Sequence, residues 1–184
     1  MIIDSHCHAG KGEGLTGPWD TAAPLDKYLI RADQAGITHT VLFAAFHSDY
    51  AIANREVARI VSSHPERFFG FAFVNSVHDR GRVHKLVRQA VEEFGFVGIK
   101  LHRYDAPISR EICEAARAFS LPVLYDVMSA VSVCELLAGE YPDGNSRLCD
   151  HGPLGRGRRH DYLFGRSAGD FADLLRSGHL GRGR

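Results

Sequence analysis

Met1-Ile2-Ile3-Asp4-Ser5-His6-Cys7-His8 is a short apolar stretch that runs straight into two histidines one residue apart. Side chains alternate between the faces of a β-strand, so Asp4, His6 and His8 are expected on one face and Ile3, Ser5 and Cys7 on the other. Two imidazoles separated by two strand rises, about 7 Å, can both reach one divalent cation. Nitrogen ligands of this kind suit a borderline metal such as zinc. The competing reading is two unrelated histidines near a terminus.

Strands and helices alternate from there on. A loop rich in glycine (Gly10, Gly12, Gly14, Gly17) leads to a helix from about Pro24, with Leu25, Tyr28, Leu29 and Ala32 on one face and Gly36 at its stop. The apolar run 41–46 reads as a second strand, followed by a helix with Ala53, Val57, Ile60 and Val61 on one side. A third strand is expected over 68–74. The helix after it carries Val83, Leu86, Val87, Ala90, Val91 and Phe94 three and four apart. The fourth strand is 96–102. Ser109 is placed to cap a helix that buries Ile112, Ala115, Ala116 and Phe119. A fifth strand over 122–127 and a helix through Val133, Leu136 and Leu137 complete the series.

Five βα units in a row imply a parallel sheet with right-handed crossovers, either doubly wound or closed as a (β/α)8 barrel. The strand ends favour the barrel, in which reactive groups come from the C-terminal ends of several strands. Polar residues stand at those ends: His6 and His8, then Lys100 and His102, then Asp126. Gly98, Lys100 and His102 share one face of the fourth strand, opposite Val97, Ile99 and Leu101. Lys100 has a plain structural alternative, an ion pair with a neighbouring carboxylate. His102 has another, a loop position on the way to Pro107.

Composition narrows the function. With 184 residues the chain is long enough to bury a core, and one domain is expected. With a formal net charge of zero, nothing in the overall composition points to a nucleic-acid partner, a membrane surface or an acidic substrate. No stretch approaches the roughly 20 apolar residues that span a bilayer, and the opening residues lack a basic-then-apolar pattern, so they are not expected to be a signal peptide. Cys7, Cys113, Cys134 and Cys149 form no paired motif and read as reduced thiols, so a cytoplasmic location is expected.

The opening Ile-Asp-Ser-His-Cys-His, the segment Val97-Gly98-Ile99-Lys100-Leu101-His102 and the strand Leu121-Pro122-Val123-Leu124-Tyr125-Asp126 together resemble the amidohydrolase superfamily. The similarity covers about residues 1–143 and points to the branch called amidohydrolase family 2, metal-dependent hydrolases and decarboxylases on a TIM-type (β/α)8 barrel. The resemblance implies that His6 and His8 are metal ligands, and that Lys100 lies where some members carry a carboxylated lysine. It implies a divalent metal, zinc or else manganese, and water activated to attack a small-molecule C–N, C–O or carboxylate substrate. The third ligand is left among carboxylated Lys100, Asp126 and His151. His102, Trp19 and Tyr104 would contact substrate. Asp126 would serve as general base in place of a last-strand Asp, at a fifth-strand position where the family commonly has His.

The sequence departs from the family pattern after residue 143. Residues 144–184 hold eight Arg, four Asp, nine Gly and neither Lys nor Glu, a formal +4 balanced by −4 over 1–143. His151 stands where a sixth-strand His is expected, although Asn145-Ser146-Arg147 is poor strand material. Tyr162-Leu163-Phe164-Gly165 echoes a last strand, but Ser167 takes the place of the expected Asp, and Asp170 lies too far along. A complete barrel takes about 200 residues at least, so an incomplete barrel of five to six βα units is expected. Residues 1–143 form its hydrolase domain and 144–184 an atypical Arg/Gly-rich segment, read as truncation or frameshift ahead of internal deletion. Three other functions compete: an inactive or partner-completed barrel, a TatD-like nuclease, and an RNA-binding Arg/Gly tail. Self-association stays open.

Overall fold

The computed structural model describes residues 2–13, 25–128, 131–141, 146–149 and 162–163. The chain divides into two units, one of residues 1–73 and 89–96, the other of 74–88 and 97–184.

In the first unit β1 (Ile3–Ala9), β2 (His39–Ala44) and β3 (Phe68–Phe73) pair in parallel, in chain order. The connections are α1 (Leu25–Gln34) and α2 (Tyr50–Ser63). Parallel strands covered on both faces are apolar throughout rather than alternating. Accordingly Val41, Leu42, Phe43 and Ala44 are buried in succession, as is every residue of β3. α2 buries Tyr50, Ala53, Asn54 and Val57, a stripe at helical spacing that includes one amide. Asp49 caps this helix by accepting from the Ala51 N–H.

The division falls within α3 (Val83–Glu92), whose Val83, Val87 and Ala90 are buried. In the second unit β4 (Gly98–His102), β5 (Val123–Asp126) and β6 (Ser146–Cys149) pair in parallel, and β7 (Tyr162–Leu163) pairs antiparallel to β6. α4 (Arg110–Ala118) buries Ile112, Cys113, Ala115 and Ala116, and α5 (Val131–Glu140) buries Cys134 and Leu137.

The five strand–helix units expected from the sequence are all present. Three local expectations are corrected. β2 starts two residues earlier than its apolar run, because His39 and Thr40 already pair with β1. Ser109 occupies the N-cap of α4, but its side chain makes no capping bond. Ser146 and Arg147, part of the Asn145-Ser146-Arg147 stretch that is poor strand material by propensity, open β6 because the edge of β5 supplies a partner.

Candidate functional site

The first unit carries the histidine pair near the C-terminal end of β1. Their ring centroids are 5.4 Å apart, and both rings set an edge against Phe43, at 5.0 Å for His6 and 4.7 Å for His8. His8 Nδ1 lies 2.8 Å from the carbonyl oxygen of Ala44. A carbonyl only accepts, so Nδ1 carries the proton and Nε2 presents the lone pair, the arrangement a metal-binding imidazole needs. The aromatic side chains of Phe46 and Phe73 complete the wall around His8, at 6.1 and 6.3 Å.

Asp4 does not join this pair as strict alternation predicts. The register of β1 against β2 slips by one residue between Asp4 and Cys7, a β-bulge. The extra residue reverses the parity, so Asp4 and Cys7 share surroundings. The Tyr28 hydroxyl donates to Asp4 Oδ2 at 3.3 Å and lies 2.6 Å from Thr40 Oγ1. Burial, and then the Asp4 charge, pushes the Cys7 thiol up to about 12, and burial pushes Tyr28 to about 12.

The loops after β1 and β2 are tied down by carboxylates. Lys11 N–H donates to Glu56 Oε2 at 2.8 Å, next to Gly10 at φ +83°, where a Cβ would meet Glu56 Oε2 at 3.0 Å. Glu13 accepts from the backbone N–H and the hydroxyl of Ser48, which holds its carboxyl below the usual range.

The second unit brings together three residues singled out from the sequence. Lys100 Nζ donates to Asp126 Oδ2 at 2.9 Å, and both side chains are wholly buried. His102 Nε2 is 3.3 Å from the same oxygen. The Tyr104 N–H donates to His102 Nδ1 at 3.0 Å, so the ring proton sits on Nε2 and points at Asp126. Of the alternatives for Lys100, the structure contains the ion pair. Both ring nitrogens of His102, expected to touch substrate, are engaged within its own unit, whereas Tyr104 is 73% exposed.

Among the described residues no group of three His, Cys, Asp or Glu side chains is placed to hold a metal ion. His151, Trp19, Ser167 and Asp170 lie outside the described residues. Sequence reasoning missed Asn54 of α2 and the aromatic wall behind His8. A signal for Asn54 was present: it is the one amide in the stripe Tyr50, Ala53, Asn54, Val57. No described helix is long and apolar enough to cross a membrane.

No family model matches the sequence, and no curated protein matches it. Solved structures do match. The chain is similar to 4-oxalomesaconate hydratase from Rhodopseudomonas palustris, with 17% identity and a TM-score of 0.56 over 80% of this chain and 62% of that one. It is similar to the probable 2-pyrone-4,6-dicarboxylic acid hydrolase from Acinetobacter baumannii, with 17% identity and a TM-score of 0.55 over 80% and 56%. A third likeness is to a variant of 5-carboxyvanillate decarboxylase from Novosphingobium aromaticivorans with bound manganese, with 14% identity and a TM-score of 0.54 over 74% and 55%. These likenesses show the fold, an incomplete α/β barrel of the TIM type. The chain spans about half to two thirds of the length of the structures it matches.

Proposed function

We propose that this chain is a metal-dependent enzyme of the amidohydrolase type, in which His6 and His8 hold a divalent cation and the substrate is a small molecule with a carboxylate, C–N or C–O centre. The observation that carries this reading is the His6–His8 pair, with rings 5.4 Å apart and the His8 tautomer set by the contact of Nδ1 with the Ala44 carbonyl. Fold likeness to a hydratase, a hydrolase and a manganese-containing decarboxylase supports it. The donors fit zinc or manganese, since neutral imidazole binds both.

When bound, the cation supplies electrophilic activation of water and of a carbonyl or carboxylate group. The chain's own residues do the rest. Ala44 fixes the tautomer of His8, and Phe43 limits the tilt of both rings. His151 is the third donor in this reading. Lys100 pairs with Asp126. Asp126, as an anion accepting from Lys100 and His102, sets the orientation of both and is the candidate proton acceptor.

Metal analysis of the full-length protein beside the double variant His6→Ala/His8→Ala tests the reading, with His151→Ala as a third sample. Zinc or manganese should accompany the wild type and be lost from the double variant. Equal, negligible metal in wild type and double variant would end the case for a metal enzyme.

A further inference from the structure

We infer that Asn54 is a positioning residue for His8, acting through Phe73; this rests on the reading of His8 as a cation ligand. The pairs between β2 and β3 run from Thr40↔Phe68 to Leu42↔Gly70. Extended in the same register, that ladder would bring Ala45 beside Phe73. Asn54 supplies the partner instead. Its Nδ2 donates to the Phe73 carbonyl at 2.8 Å, and its Oδ1 accepts from the Phe73 N–H at 2.9 Å. Asn54 is 4% exposed, so neither bond competes with bulk water. A planar side-chain amide offers a donor and an acceptor side by side, as a neighbouring strand would.

Both polar main-chain groups of Phe73 are thus fixed by one side chain from α2. The Phe73 ring stacks on Tyr50 at 4.3 Å and 9°, and lies 6.0 Å from Phe46 and 6.3 Å from His8. Phe46 is itself 6.1 Å from His8. One of the rings around the imidazole, that of Phe73, therefore has its backbone anchored by a single buried amide. Removing that amide leaves a buried N–H and a buried carbonyl without their partner, and the chain relieves this by shifting Phe73. The shift reaches His8 as a change in its packing and in its bond to Ala44.

The test uses the full-length protein and two variants. Asn54→Asp keeps the shape and the acceptor but removes the donor to the Phe73 carbonyl; Phe73→Leu keeps the amide and removes the ring. Ring-nitrogen NMR of the metal-free protein reads the tautomer of His8 directly. The wild type should show the Nδ1–H form, and each variant should show displaced His8 ring signals with partial loss of that form. In zinc or manganese titrations each variant should bind about tenfold more weakly or worse. A purely structural role would lower the melting temperature and leave the His8 signals alone. Unchanged His8 signals in the folded variants overturn the inference, and Phe73→Leu decides it if Asn54→Asp does not fold. Should the wild type bind no metal, the cation reading fails, while the metal-free ring signals still decide whether Asn54 positions His8.

Discussion

Gly70 sits in β3 where the Phe96 ring lies directly over its backbone, and a Cβ there would run into Cδ1 and Cε1 of that ring. Phe96 is buried, so it has little room to swing away. Gly70→Ala should therefore cost about 1–3 kcal/mol, the usual range for overpacking a filled core. Urea unfolding measures this, and an unchanged midpoint would show that the ring yields freely. Gly81 makes the contrast: its φ of +76° favours glycine, but nothing lies within 4 Å of its Cβ position. At this scale His6 and His8 were legible in the sequence, because their spacing matches the strand period. Asp4 was not, since a one-residue bulge leaves no mark in composition or pattern and yet reverses which side chains keep company.

At the scale of the elements, β4 and β5 are joined by a charge pair as well as by their ladder. The register sets His102 beside Asp126 and Lys100 beside Leu124, so Lys100 reaches diagonally to the carboxylate. Removing one partner of a buried pair strands the other charge, which costs about 3–5 kcal/mol, whereas replacing both by apolar residues is often close to neutral. Asp126→Ala and Lys100→Met should each lower stability by that amount, and Lys100→Met/Asp126→Leu should recover most of it. Additive losses in the double variant would show that the two side chains do not act as a pair. The sequence offered this ion pair as one of two readings for Lys100. Choosing between them needed the register of β4 against β5, which no single strand encodes. β6 shows the same dependence: 146–149 is extended because β5 lies alongside.

For the whole molecule, buried titratable groups set the alkaline limit. Burial is the largest cause in raising Cys7 and Tyr28 to about 12 and Cys113 and Cys134 to about 11, from ordinary values of 9.0 for the thiols and 10.0 for the phenol. Above pH 9 the unfolded chain releases protons that the folded chain still holds. Their contribution to stability is thus complete below pH 9 and is lost as pH rises toward 12. Melting temperature should fall steadily from pH 9 to 11, and the buried thiols of Cys113 and Cys134 should resist alkylation at pH 8 until the protein is denatured. A melting temperature that is flat across that range, or rapid alkylation of the folded protein, would contradict the burial of these groups.

The sequence by itself determined the βα order, the apolar faces of the helices and the short list of polar strand ends, because each follows from a local period of two or 3.6 residues. Tertiary structure alone decided which of those polar residues meet. The bulge that groups the Asp4 side chain with Cys7, the diagonal from Lys100 to Asp126 and the amide of Asn54 under Phe73 all depend on register and packing between segments distant in the chain. A periodicity carries the direction of a side chain, whereas a contact requires two backbones to be placed against each other.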